Sequence, residues 1–310
     1  MAKEKLELVE VSPRDGLQNE PDIVSTENKL ALIDHIIASG LRRLEAGSFV
    51  NPKKVPQMAD GDAVFAGVPK RDDVTYIALA LNLRGVERAL GAGATEINYA
   101  FCASDGFSIR NNGATVEETF AVWPDVVALA KANGARVTAT VSTAFGCPFD
   151  GEVPVAQVVK VAERCVAQDI FELALADTIG VGAPSDVHDR FKAVKAAIPG
   201  HVQLRAHFHN TRDTALANAV AAVEEGCAYW MVRSPASAAA RLRRALPATC
   251  RPKTCSICST AWASTPALIW IVRCKRRNSL AACWGARRLV WSAARRNGPN
   301  NKAAALPRRP

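Results

Sequence analysis

No aspartate or glutamate follows Glu225 in this chain of 310 residues. Residues 228–310 carry 17 Lys+Arg and no acidic side chain, whereas residues 1–227 carry 22 Lys+Arg and 30 Asp+Glu, a net −8. At the acidic frequency of the front part, such a gap arises about once in a hundred thousand random trials, far outside ordinary compositional variation. The overall +9 therefore belongs wholly to the tail and implies no basic surface on residues 1–227. Five of the six tryptophans and five of the nine cysteines lie in the tail as well. Two sources of sequence meet near residue 228.

Other absences narrow the class. No stretch approaches the roughly 18 uninterrupted apolar residues of a membrane span. The opening MAKEKLELVEV is charged and has no apolar segment of signal-peptide type, so a cytoplasmic protein is expected. The cysteines read as reduced thiols in that compartment. No GxGxxG follows the first candidate strand, where PRDGLQNE stands instead, which argues against a dinucleotide-binding doubly wound sheet.

What is present alternates. LELVEV, RRLEAGSF, VTYIAL, TEINYAF, RVTATVSTAF, FELALAD and VQLRAHFH read as strands, separated by longer segments of helical period. STENKLALIDHIIASG has a Ser25/Thr26 cap, apolar Leu30, Ile33, Ile36 and Ile37, and a closing Gly40. In VEETFAVWPDVVALAKANG, Pro124 breaks the helix. Strands joined by helices give parallel pairing with crossovers. Seven such units in this length predict an α/β fold, a (β/α)8 barrel with its eighth unit and C-terminal region disrupted. The domains expected are a catalytic barrel over residues 1–227 and an aberrant, poorly ordered basic tail over 228–310. A barrel missing a unit would expose the edges of strands one and seven, so poor solubility is also expected.

Polar groups recur where strands end, the rim at which barrel enzymes place their chemistry. In HFH, the strand period puts His207 and His209 on one face and Phe208 on the other. Two imidazoles with the Asp15 carboxylate suit Mn²⁺, Co²⁺ or a tolerant Mg²⁺ site better than tetrahedral structural zinc. Arg14 stands beside that carboxylate and can neutralise a developing oxyanion, although a plain ion pair would use the same residues. Glu45 and Asp177 can move protons or support ligands, and a lone carboxylate is equally at home as a helix cap.

VEVSPRDGLQNE, LEAGSFVNPKKVPQMAD, FGCPF, ALADTIGVG and AHFHNT followed by ALAN together resemble the 3-hydroxy-3-methylglutaryl-CoA lyases, over residues 6 to 227. RDGLQ alone is shared with related acyl-CoA Claisen synthases and biotin-dependent carboxyltransferases, and GSFVNPKKVPQMAD narrows the likeness to the lyases. The resemblance implies divalent-metal-dependent retro-Claisen cleavage of a 3-hydroxyacyl-CoA to acetyl-CoA and a keto acid such as acetoacetate, as in leucine degradation. It implies Asp15, His207 and His209 as ligands of Mg²⁺ or Mn²⁺, Arg14 as enolate stabiliser, and Glu45 and Asp177 in proton transfer. Gln18, Ser48 and Thr178 are implied substrate contacts. The partners expected are an acyl-CoA substrate and a second copy of the chain in a homodimer, with no specific nucleic acid and no membrane. Ala174 departs from the family, which commonly has serine there, so the acyl group accepted can differ.

The family's GLGGCPFAPG loop, whose cysteine serves catalysis, and the ATGN asparagine that completes the metal shell are absent. Cys147 in FGCPF belongs to an earlier segment and is expected to be a packed thiol. The tail accounts for the loss. Residues 230–245 admit a synonymous coding that, read from its third base, spells DGSVAGLGGCPFAPG. The same frame then allows ATGN and VSTEDLLYLLDGLGIDTGVDLD, through residue 271. The tail thus reads as an out-of-frame translation beginning near Tyr229 or Trp230, where loss of one base suffices, and the activity of the chain is expected to be impaired. On that reading CSIC at 255–258 is no zinc knuckle, and RLRR, CKRR and AARR are products of a GC-rich frame rather than a nucleic-acid arm. The alternative readings are a noncatalytic product that keeps partial metal binding, or a related acyl-CoA Claisen synthase.

Overall fold

A computed structural model describes residues 7–232. Eight parallel strands follow in chain order around a closed barrel. They are β1 (Glu7–Glu10), β2 (Arg43–Ser48), β3 (Thr75–Ala80), β4 (Glu96–Cys102), β5 (Arg136–Ser142), β6 (Glu172–Asp177), β7 (Gln203–Phe208) and β8 (Tyr229–Val232). The seven strands expected from alternation all form. The eighth corrects the expectation of an open barrel: Glu7 to Glu10 pair with Tyr229 to Val232, and Arg205 to His207 pair with Tyr229 to Met231. Four residues of good strand propensity are enough, because the flanking edges supply the hydrogen bonds and Met231 packs with Val9, Val11 and Ile77. Strands one and seven therefore have no open edges. The expected loss of an eighth helix, and the tail beyond residue 232, lie outside the described residues.

Helices cover the strands as their periods foretell. α1 (Thr26–Ala38) buries Leu32, Ile33, Ile36 and Ile37 on one side, and the Ser25 hydroxyl caps its first turn. Gly40 ends it at φ 98°, a left-handed conformation that an L side chain would strain. The Pro124 break divides two helices, Val116–Ala121 and Trp123–Ala132, as expected. Among the described residues, no helix is long and apolar enough to cross a membrane.

The strand register also sets which side chains fill the interior. At the N-terminal end, Arg43 bridges Glu96 at 2.6 Å and Glu172 at 2.7 Å, and Arg205 meets Glu172 at 2.6 Å. All four are buried. Burial disfavours the Arg43 cation, yet the Glu172 and Glu96 carboxylates outweigh it and raise its pKa above the ordinary guanidinium value. Such a balanced box adds little net stability over an apolar floor, but it makes removal of any one member costly, about 3–5 kcal/mol for a lone buried charge. It closes the barrel from below and leaves the opposite rim open to chemistry.

Candidate metal centre

The chain leaves β1 through a π-helical turn, Ser12–Gly16, with Pro13 at its start. Glu10 accepts from both the Ser12 amide, at 2.9 Å, and the Ser12 hydroxyl, at 2.6 Å, fixing the turn. Single π turns of this kind mark functional positions in other proteins. Here the turn brings two successive residues, Arg14 and Asp15, into a buried rim location. Arg14 Nη1 donates to Asp15 Oδ1 at 3.1 Å and Arg14 Nε to Glu45 Oε2 at 2.5 Å. Burial works against the Arg14 cation, and Glu45 and Asp15 together overcome it and raise its pKa.

Glu45 reaches this contact because β2 has its inward residues at Arg43 and Glu45, after which a register shift between Glu45 and Gly47 realigns the strand. From β7, His207 and His209 approach the same place, with their Nε2 atoms 2.9 Å apart and His209 Nε2 3.9 Å from Asp15 Oδ2. Ligand atoms of Asp15, His207 and His209 all lie within 4.8 Å of one another. The Phe208 ring turns the other way, 5.6 Å from Phe145 and 6.4 Å from Phe191, as the period of two requires.

The donor set fits a divalent cation. Burial above all pushes His207 down to about 3, with Asp15 opposing and the charges of His209, Arg14 and Arg205 adding to the drop. Its imidazole is thus neutral at physiological pH with a lone pair to give, and two imidazole nitrogens facing each other need a shared proton or a shared ion. Because the folded value lies below the unfolded value of about 6.5, the unfolded state binds the proton first and stability is lost as pH falls through 6.5 toward 3. In EDTA, the unfolding free energy of the wild type should decline below pH 6.5 more steeply than that of His207→Gln, by up to about 1.4 kcal/mol per pH unit. Equal slopes in denaturant titrations would contradict this.

Two expected contacts show a common state. Gln18 Oε1 and Ser48 Oγ are shielded from solvent without hydrogen-bond partners, which leaves them available to a ligand. Thr178 is already engaged: its Oγ1 accepts the Thr143 amide at 2.8 Å, holding Thr143 at φ 54°. Asp177 faces away from the barrel interior. Register makes Glu172, Ala174 and Ala176 inward and pairs Asp177 with the outward Phe208. Its carboxylate accepts the Val181 amide at 3.0 Å and the Gly182 amide at 2.9 Å, so it braces the following loop. Cys147 is buried, and its sulfur accepts the Phe149 and Asp150 amides at 3.4 and 3.3 Å.

Among the buried polar residues of the interior that were not foreseen, Asn98, Thr140 and Arg205 lead toward this site. Asn98 Nδ2 donates to Glu45 Oε1 at 2.9 Å, and Thr140 Oγ1 donates to Asn98 Oδ1 at 2.8 Å. The alternation of polar Glu96 and Asn98 in EINYAF, and of Thr138 and Thr140 in RVTATV, was the available signal.

A parallel barrel whose C-terminal rim joins a convergent His, His and Asp set to a buried Arg–Glu pair defines a class: enzymes that stabilise an oxyanion beside a metal ion. The HMGL-like family model matches residues 5–230, and the chain belongs to that family. It is 42% identical over 226 residues to the 3-hydroxy-3-isohexenylglutaryl-CoA/hydroxy-methylglutaryl-CoA lyase of Pseudomonas aeruginosa, covering 73% of this chain and 75% of that one. It is 41% identical to the mitochondrial hydroxymethylglutaryl-CoA lyase of Rattus norvegicus, covering 72% and 68%. A solved HMG-CoA lyase of Acinetobacter baumannii, in complex with coenzyme A and 3-methylmalate, superposes with a TM-score of 0.71 at 37% identity, over 75% of this chain and 76% of that one.

Proposed function

We propose that residues 1–227 form a hydroxymethylglutaryl-CoA lyase-type carbon–carbon lyase, acting on a 3-hydroxyacyl-CoA with Mg²⁺ or Mn²⁺, and that the chain as written turns over slowly. The observation that carries this reading is the convergence of Asp15, His207 and His209 beside the Arg14–Glu45 pair. The reaction breaks the bond between C2 and C3 of the acyl chain. The C3 hydroxyl loses its proton and becomes the ketone of acetoacetate, while the bond's electron pair passes to the thioester as an enolate that is then protonated to acetyl-CoA. The divalent ion supplies the lowered cost of deprotonating that hydroxyl.

Everything else is work for side chains. Arg14 spends one N–H of Nε and one of Nη1 on Glu45 and Asp15, so the rest of its guanidinium can donate to the thioester oxygen as charge develops there. Glu45, held as a hydrogen-bond acceptor, takes or returns the proton. Gln18 and Ser48 offer their unpartnered groups to the acyl-CoA, and Thr178 and Asp177 hold the loops that border the pocket.

Slow turnover follows from the tail. The family match stops at residue 230, two residues past the composition break. On this reading the closing strand β8 is built mostly of out-of-frame residues, and the loop that should follow it, with the catalytic cysteine and the fourth metal ligand, is replaced. Incubating the purified chain with 3-hydroxy-3-methylglutaryl-CoA and Mn²⁺ should release acetyl-CoA and acetoacetate in equal amounts, slowly, and EDTA should stop it. Product formation that ignores EDTA would sink the metal-dependent reading. No products at all, with Mn²⁺ still bound, would favour a noncatalytic barrel that retains its three ligands.

A further inference from the structure

Asn98, Thr140 and Arg205 form a line of polar side chains inside the barrel that ends on Glu45. We propose that Thr140 and Asn98 are positioning residues that hold the Glu45 carboxyl group in one orientation beside Arg14, and that Arg205 sets the direction of the whole line. The proposal deepens the proton-transfer role given to Glu45 above and rests on that reading.

The direction follows from donor and acceptor inventories. A guanidinium has donors only. Arg205 is fully buried, its Nη1 lies 2.6 Å from Glu172, and its Nη2 points at Thr140 Oγ1 from 3.5 Å. At that distance the hydrogen bond is long, but a buried cation still orients the hydroxyl dipole with its oxygen inward and its proton away. The Thr140 proton then goes to the other neighbour, the Asn98 oxygen at 2.8 Å. An oxygen receiving that proton fixes the Asn98 amide, since flipping it would set NH2 against O–H and leave oxygen facing a carboxylate. Nδ2 is thereby aimed at Glu45 Oε1, at 2.9 Å.

Glu45 thus meets a donor at each oxygen, Asn98 at Oε1 and Arg14 at Oε2. The arrangement fixes the direction of the carboxyl plane and leaves its remaining lone pairs to accept from a substrate hydroxyl. The line runs Arg205, Thr140, Asn98, Glu45, with Arg14 closing it from the opposite end. An arginine at both ends makes the pattern one-way, and no member can turn round without stranding a buried donor or acceptor.

The test uses the full chain with three variants. Thr140→Val removes the hydroxyl at nearly constant shape, Thr140→Ser restores it, and Asn98→Asp replaces the donor with an acceptor of the same size. Infrared difference spectra against Glu45→Gln report the hydrogen bonding of the Glu45 carboxyl group without any turnover. Wild type and Thr140→Ser should show the same Glu45 bands. Thr140→Val and Asn98→Asp should both shift those bands, because the donor to Glu45 Oε1 is loosened in the first and replaced by an acceptor in the second. In the lyase assay, Thr140→Val should lose about tenfold in kcat, with KM changed by less than about twofold, and Thr140→Ser should recover it. Glu45 bands in Thr140→Val and Asn98→Asp identical to wild type would overturn the proposal. A wild type that cleaves nothing would count against the proposed function alone, because the infrared series decides the positioning role by itself.

Discussion

Restoring the reading frame after Tyr229, so that the chain continues into GLGGCPFAPG and ATGN, should raise turnover of 3-hydroxy-3-methylglutaryl-CoA on the order of 10²–10⁴-fold. The size follows from what returns. A cysteine that serves proton transfer contributes at the scale of other general acids and bases, and an asparagine completing the metal shell holds the ion against competing water. The barrel itself needs no rescue, since β8 already closes it between β1 and β7. Sequencing the gene across this junction and assaying both chains side by side checks the claim. Equal turnover in the two, or an uninterrupted frame without a nearby slip, would show that the tail is native to the enzyme and that the missing loop was never needed.

Arg14→Gln is the second large effect, and it should act on both stability and rate. Glu45 is wholly buried, and Arg14 is its cationic partner at 2.5 Å. Taking the cation away leaves a buried carboxylate with only the Asn98 amide, a change that costs about 3–5 kcal/mol when a buried pair is broken from one side. Denaturant unfolding should show that loss, and the double variant Arg14→Gln with Glu45→Gln should recover much of it, because the stranded charge is then gone as well. The rate should not recover. Losing one preorganised donor to a developing oxyanion costs about 10²–10³ in kcat, and the second substitution also removes the proton acceptor. Recovery of both properties together would mean that the Arg14–Glu45 pair is structural and that the oxyanion is met elsewhere.

How much of this could be read from the residues depends on where each sits along its strand. His207 and His209 were legible because HFH carries its own parity, and Asp15 and Arg14 because RDGLQ leaves the first strand directly. The facing of Asp177 was not, since the end of a strand does not say which face its last residue takes. In FELALAD the inward set is Glu172, Ala174 and Ala176, fixed only by pairing to β5 and β7. Ser48 owes its placement to the irregularity between Glu45 and Gly47, a feature of pairing rather than composition. β8 was overlooked because its four residues stand at the start of a segment whose composition departs from the rest of the chain, and tertiary context makes a strand of them. The positioning line through Asn98 and Thr140 hid among strand residues for the opposite reason. Each polar side chain looked like an ordinary interruption of an apolar run until three strands brought them together.

Titration of the full chain with Mn²⁺, followed by electron paramagnetic resonance, bears most directly on the site at the centre of this account. The wild type should bind one ion per chain at the barrel rim, and binding should be lost in both Asp15→Asn and His207→Ala while the far-ultraviolet circular dichroism stays that of a folded barrel. A wild type that binds no ion, or variants that bind it as tightly as wild type, would contradict the account.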